Sequence, residues 1–500
     1  MNPRSPSDDP GVTLRAALRG ATRHADAWLA SLAHRPVRPG LSAAEVLARL
    51  DGPFPAAPSD PVAVIDALVE AVGGGLTATG SPRFFGYVVG GTLPAALAAD
   101  LLAVVWDQNA ALASLSPAAS AVEQIAGRWV RQALGLPATA SVGFTTGTQM
   151  AHVTALAAAR HRVLAEVGWD VGADGLTGAP PVRVLAGADR HTTVDAALRL
   201  LGFGSRGIHT VAGDGRGRMC PDALRATLDT LAATDTPTRT VGARRVPTIV
   251  IAQAGEINTG AVDPLGQICA LGHAHGAWVH VDGAFGLWAA TSGSARRRAL
   301  VEGAADADSW ATDGHKWLNV PYDCGIAIVA DRAAHRRAMV APADYFPPDP
   351  GGALDPVDWT PEFSRRARTF AVYAALRSLG QDGLRDLVDR CCELAGHAAS
   401  RLAGLPGVRV LNATPGPAGH GVVVPLNQVL LRVEAPGGEG DRLTRAVTAA
   451  VTAGGDAYLT GTVWQGRAAM RLSVSNWSTT RAEVDLAVDV IAAAVGTARR

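Results

Sequence analysis

Lys316 is the only lysine in this chain, and arginine supplies the other 44 of its 45 basic residues. The two cations differ in one chemically decisive respect. A guanidinium stays protonated, whereas a lysine amine can condense with a carbonyl to form an imine. A chain biased towards Arg, Ala, Gly and Val could keep one lysine by chance, so its neighbours must decide. It stands in DSWATDGHKWLNVPYDCG, where a short strand ends, a Gly turn follows, and Trp310, Trp317, Leu318 and Val320 lie close in sequence. Such apolar company is not that of a solvated surface lysine.

Three other segments carry chemistry of a matching kind. Asp282 ends the strand WVHVD and enters the turn GAFG, where a carboxylate either faces a ligand crevice or caps the next segment. His191 follows VLAGAD just before a helix, placed to cap it, to stack on a planar ligand or to sit half exposed. GFTTGTQMAH, residues 143–152, runs from a short strand through Thr145, Thr146, Gly147 and Thr148 into a long helix. Hydroxyls and free N–H groups at a helix start cradle a phosphate, and the same residues also make an ordinary Thr cap. Each segment alone is weak. Together they supply an imine-former, a partner for a pyridinium nitrogen, a ring to stack and a phosphate cradle, the set that pyridoxal 5'-phosphate (PLP) requires. A P-loop enzyme is excluded, because no GxxxxGK[ST] occurs and the lysine lies far from the Gly-rich turns.

These residues need elements to hold them. Residues 93–370 alternate short apolar strands (VRVLA, GIHTV, TIVIAQ, WVHVD, GIAIVAD) with helices such as PDALRATLDTLAA and PLGQICALGHAHG. That alternation predicts an α/β domain with a mostly parallel sheet covered on both faces, whose ligands gather at the carboxyl ends of strands. Residues 1–92 hold amphipathic helices between Pro- and Gly-rich breaks and suit packing against another body. Residues 371–500 restart the pattern as a smaller α+β domain, with a long helix, strands NQVLLRV and AAMRLSVSN, and a last helix from Glu483. PPDPGGALDPVD at 347–358 reads as a loop.

Bulk properties narrow the class. Lys+Arg and Asp+Glu both number 45, so the formal net charge is zero and neither nucleic acid nor an anionic membrane is an expected partner. LPAALAADLLAVVW at 93–106 is short for a membrane span and contains Asp100. The N-terminus lacks the apolar stretch of a signal peptide. Five cysteines without metal spacing point to free thiols in a reducing compartment, no metal site and a soluble, cytoplasmic protein.

From SPRFFGY at 81–87 to SVSNWSTT at 473–480 the sequence resembles the group II PLP-dependent amino-acid decarboxylases, with HVDGAFG followed by DGHKW as its most specific motif. The resemblance implies a fold-type-I enzyme that converts an L-amino acid, aromatic as first choice, to its amine and carbon dioxide. It further implies a homodimer with shared active sites, onto whose partner residues 1–92 pack. By the same resemblance Lys316 is the Schiff-base lysine and Asp282 pairs with the pyridinium nitrogen. Ala284 packs on one ring face and His191 stacks on the other. Thr146, Gly147, Thr148 and Gln149 form the phosphate turn, and His315 reaches the phosphate. Tyr345, in APADYFPP, stands where decarboxylases of this family carry a tyrosine that assists protonation; the plain alternative is a loop aromatic. Glu256 in AGEINTG stands where many relatives have an uncharged residue, and Asp313 where some have asparagine. WDQNAAL at 106–112 lacks the bulky aromatics of the animal enzymes' substrate pocket. Competing readings are another reaction on the same scaffold (aldehyde synthesis, aldol cleavage or transamination) and a catalytically silent relative.

Overall fold

The computed structural model describes residues 10–233, 246–340, 354–416 and 421–500. Tyr345 lies outside the described residues, as does most of the predicted 347–358 loop. Seven strands form the central sheet: β1 (Ser141–Thr145), β2 (Arg183–Gly187), β3 (Ile208–Val211), β4 (Thr248–Gln253), β5 (Trp278–Asp282), β6 (Ser309–Asp313) and β7 (Gly325–Val329). Their spatial order is β1-β7-β6-β5-β4-β2-β3. From β6 through β3 all neighbours are parallel, and β7 runs antiparallel to both β6 and β1. Every residue of β4, β5, β6 and β7 is buried. The apolar, β-branched runs of β4 (TIVIAQ) and β7 (GIAIV) are what a sheet covered on both faces demands.

The first six helices in chain order are α1 (Pro10–Ser31), α2 (Ala43–Leu50), α3 (Pro61–Val72), α4 (Pro94–Trp106), α5 (Pro117–Leu134) and α6 (Thr148–Ala165). Local chemistry sets their starts. A Ser42–Glu45 capping box opens α2, and Asp60 caps α3 with Pro61 in the first turn. α6 is Ala-rich and lies along one sheet face, with Ala155, Leu156, Ala158 and Ala159 fully buried there. Small side chains let its backbone approach the strands closely.

The C-terminal part carries a four-stranded antiparallel sheet, in the order 460–464, 467–473, 428–433, 408–410. The long helix Thr369–Ala403 breaks its helical geometry at Gly380, with φ near 60°. It packs on α4 and α5 and then reaches the small sheet. The segment SPRFFGY is held on the C-terminal part, because the Phe85 N–H donates to the Tyr458 carbonyl and the Ser473 N–H to the Phe85 carbonyl. None of the helices among the described residues is long and apolar enough to cross a membrane.

Candidate active site

β1, β2, β4, β5 and β6 all end at one sheet edge, and β7 begins there. Asp282 closes β5 and Asp313 closes β6. His191 follows the loop after β2, and Thr146 to Gln149 lead from β1 into α6. The topology alone therefore gathers the four sequence-selected segments.

Lys316 occupies the loop between β6 and β7. Trp310, Trp317, Leu318 and Val320 are buried as expected, but the lysine side chain leaves them and is 22% exposed. Its Nζ lies 2.8 Å from Asp313 Oδ2. Asp313 is the hub of this corner. Its Oδ1 accepts the Thr148 N–H at 2.7 Å and lies 3.5 Å from His315 Nε2. Burial works to raise the Asp313 pKa, yet Lys316, His315 and Thr148 together hold it below the ordinary value. His315 in turn stacks on Tyr322 with centroids 4.2 Å apart, and its Nδ1 accepts the Cys324 N–H.

The turn into α6 has the features of an anion cradle. Gly147 precedes the helix and offers no capping side chain. The N–H groups of Gln149 and Met150 have no intrahelical acceptor. Thr148 Oγ1 is buried without a hydrogen-bond partner among the described residues, while Thr146 and Gln149 are exposed. An orphaned buried hydroxyl beside unpaired helix N–H groups fits a phosphate. Two observations show how the turn is held. A Cβ on Gly325 would come within 2.2 Å of the Gly147 carbonyl carbon, so β7 presses backbone to backbone on the turn. The Phe144 carbonyl also receives Arg365 Nη2 at 2.7 Å and Arg368 Nη1 at 3.3 Å. Arg365 is buried and paired with buried Glu123 at 2.9 Å.

Asp282 is buried, and its Oδ1 accepts the Ala284 N–H at 3.2 Å, so Ala284 sits in the turn directly beyond it. Burial would raise its pKa, but His152, His191 and Lys316 overcome that and hold the carboxyl far below the usual carboxylate range. His191 both caps and faces the site. Its Nδ1 accepts the Thr193 N–H at the start of helix Thr192–Leu200, and its charge environment is set by Asp282, Lys316, His152 and Arg471. Burial lowers its pKa, with Asp282 opposing.

Two site residues escaped the sequence reading. His152 lies on the buried face of α6, 3.5 Å from Asp282. Its one local signal is its place a helical turn after Thr148. Arg471 projects from the small sheet, buried, and senses Glu256 and Tyr87. Nothing local distinguishes it among 44 arginines. Glu256 is itself buried, its oxygens accepting from Asn258 and Thr259 within its own loop, and burial pushes its pKa up against those bonds.

Similar proteins place this arrangement in context. An L-2,4-diaminobutyrate decarboxylase of Rhizobium meliloti (strain 1021) is 32% identical over 401 residues, 79% of this chain and 74% of that protein. An aromatic-L-amino-acid decarboxylase of Bacillus atrophaeus is 27% identical over 73% of this chain and 72% of its own. The crystal structure of Oryza sativa TDC with PLP and tryptamine shares the fold, with a TM-score of 0.86 and 24% identity over 99% of both chains. Residues 45–412 match the pyridoxal-dependent decarboxylase conserved domain. The chain therefore belongs to the pyridoxal-dependent decarboxylase family, the PLP-dependent carboxy-lyases acting on amino acids.

Proposed function

We propose that this protein decarboxylates an L-amino acid at the edge where Lys316, Asp282, His191 and the start of α6 converge. One observation carries the reading: an amine, a carboxylate held anionic, and a helix start with an orphaned hydroxyl lie together on one sheet edge. When bound, PLP supplies the electron sink for the pair of electrons released with carbon dioxide. The chain's own residues do the rest. Lys316 Nζ is the amine that tethers the cofactor, and Asp313 orients it. The Asp282 carboxylate holds a proton on the ring nitrogen, keeping the sink strong. Thr148, Gly147 and Gln149, with Thr146 and His315 beside them, take the phosphate. His191 and Ala284, both beside Asp282, are the residues that would pack against the ring. Arg471, a buried cation beside Tyr87, is positioned to receive a substrate carboxylate. Tyr345 Oη, or Lys316 Nζ, would return a proton to Cα once carbon dioxide has left, and so form the amine.

An aromatic substrate is the first choice. Phe84 stacks on Tyr458 with centroids 4.9 Å apart, and Tyr87 stands beside Tyr458 and Arg471, giving an apolar rim next to a cation. A second reading, a short diamino acid, is favoured by the buried Glu256 carboxylate near Arg471 and by the Rhizobium relative's name. Glu256 ranks second because both its oxygens already accept hydrogen bonds from its loop. The test is a product screen of the PLP-loaded protein across aromatic and diamino acids. Amine and carbon dioxide in equal amounts support the proposal; aldehyde with hydrogen peroxide, or keto acid, without amine overturns it. A colourless protein with added PLP would make it a silent relative.

A homodimer is part of the same proposal. α1 buries only Gly20, and α2 and α3 bury nothing. Leu14, Leu47, Leu50, Leu101, Val105 and Trp106 stand exposed on α1, α2 and α4, an apolar area that a second copy would cover. Sedimentation at micromolar concentration should return twice the chain mass, and a monomer would refute the shared-site arrangement. The five unpaired cysteines support a cytoplasmic location.

A further inference from the structure

A buried chain of polar groups leads from the middle of the sheet to Asp282. Trp278 Nε1 donates to Ser309 Oγ at 2.8 Å. Ser309 Oγ lies 2.8 Å from His280 Nδ1, His280 Nε2 lies 2.9 Å from His152 Nδ1, and His152 Nε2 lies 3.5 Å from Asp282 Oδ2. Ser309, His280 and His152 are fully inaccessible, Asp282 nearly so. His280 and Asp282 share a face of β5 by the two-residue strand period, and α6 lays His152 across that face.

The direction of this chain follows from donor inventory together with the lack of any acceptor for the Ser309 hydroxyl other than His280 Nδ1 among the described residues. An indole N–H can only donate, so Ser309 Oγ must accept from Trp278. Its own hydroxyl proton then goes to His280 Nδ1. His280 must carry its proton on Nε2 and give it to His152 Nδ1, which leaves the His152 proton on Nε2, facing Asp282. One proton serves each link and no imidazole needs a charge. The reverse arrangement strands the Ser309 proton in a dry interior and turns a His152 lone pair towards a carboxylate, at the cost of an unmade buried hydrogen bond. A cationic His152 strands the same proton. We infer that His152 is a positioning residue, locked by the Trp278–Ser309–His280 chain as the neutral Nε2–H tautomer, whose N–H faces Asp282 across 3.5 Å with no other partner among the described residues and so favours the carboxylate as the anionic partner of the cofactor's ring nitrogen. This rests on the reading of Asp282 given above. The other groups facing His152 and Asp282 are His191 from the start of its helix and Lys316 from the loop after β6, and neither contributes a link to the chain.

The same helix then serves both ends of the cofactor. Thr148 at its first residue faces the phosphate cradle, and His152, one turn on, faces Asp282.

The test has two arms. The first is ¹⁵N NMR of the histidine-labelled apoprotein, with His152 assigned by comparison with His152→Gln. A protonated Nε2 and a bare Nδ1 are expected; a Nδ1–H tautomer or an imidazolium overturns the inference whether or not Asp282 serves the cofactor. The second arm is PLP titration followed by the cofactor's visible absorption. His152→Leu should weaken PLP binding by about tenfold or more, the worth of a hydrogen bond to a charged group. His152→Gln keeps a donor at the same place and should recover most of that loss. Equal losses in both variants would reduce His152 to a packing residue and sink the inference. Asp282→Asn with unchanged affinity and absorption would instead overturn the reading of Asp282, and with it the relay's service to the cofactor, while the tautomer result stands by itself.

Discussion

Replacing Arg365 by methionine isolates the group that braces the cofactor turn from behind. Its guanidinium bonds Glu123 Oε1 at 2.9 Å, the Phe144 carbonyl at 2.7 Å and the Ala110 carbonyl at 3.3 Å, and both side chains of the ion pair are almost wholly inaccessible. Methionine fills similar volume, so packing loss is small and the dominant effect is a carboxylate left in a dry site. Breaking one partner of a buried pair costs about 3–5 kcal/mol. Burial already raises the Glu123 pKa, with Arg365 as the main opposing influence. Without Arg365, Glu123 takes up a proton on folding, so the variant's deficit relative to wild type should shrink as pH falls from 8 towards 5.5. The sign follows from linkage, because the folded variant then binds more protons than the unfolded chain. The double variant Arg365→Met/Glu123→Gln should recover roughly half of the loss. The assay is urea unfolding of the apoprotein at several pH values, with PLP affinity in parallel, since Arg368 alone would hold the Phe144 carbonyl. A single-variant cost below about 1 kcal/mol, or one independent of pH, would refute the bracing argument.

Other consequences are as open to measurement. Gly325→Ala forces a Cβ into the Gly147 backbone and should cost about 1–3 kcal/mol while weakening PLP binding; unchanged affinity would show that the turn tolerates displacement. Lys316→Ala should lose all the PLP attachment that borohydride, by reducing the imine to a secondary amine, makes stable to gel denaturation, yet melt close to the parent, and retained attachment would dismiss Lys316 as the tether. His335 is buried neutral between Ser141 and the Trp359 carbonyl, and burial lowers its pKa to about 4. The unfolded chain binds that proton from about pH 6.5 downward, so the contribution is complete above 6.5 and falls by roughly 3 kcal/mol as pH drops to 4. His335→Gln should flatten that acid slope, and an unaltered slope would contradict the assignment.

The parts of this protein that were legible in its sequence are those whose signal is local. TIVIAQ and PVAVIDALVEAV fall on β4 and α3 residue for residue, because burial period and end signals act within a few residues. The gathering of Lys316, Asp282, His191 and the α6 turn was legible because strand ends of an α/β sheet share an edge. The direction of β7 was not, since an apolar strand reads alike in either sense. The short connection from Asp313 to Gly325 was the available clue, being tight for a crossover helix. His152 was invisible for another reason. Its partner His280 is 128 residues away, and an imidazole in an alanine-rich helix carries no mark of what crosses it. Lys316 was expected to stay among its apolar neighbours, but sequence proximity to tryptophans does not say which way a four-carbon stem turns. Asp313 decides that, through a contact of 2.8 Å.

The alanines of α6 set a clearance as well as a core. With Ala155, Ala158 and Ala159 fully enclosed, the helix axis rests on the sheet at a height fixed by methyl groups, and that height is shared by everything the helix carries. Lifting one end therefore tilts the other. A bulkier residue at Ala155, remote from any reacting atom, would act like a shim under a lever: the phosphate cradle could follow its ligand while His152 swings out of reach of Asp282. Enlargement at this seam should thus change the electronic character of the bound cofactor before it changes how much cofactor is bound.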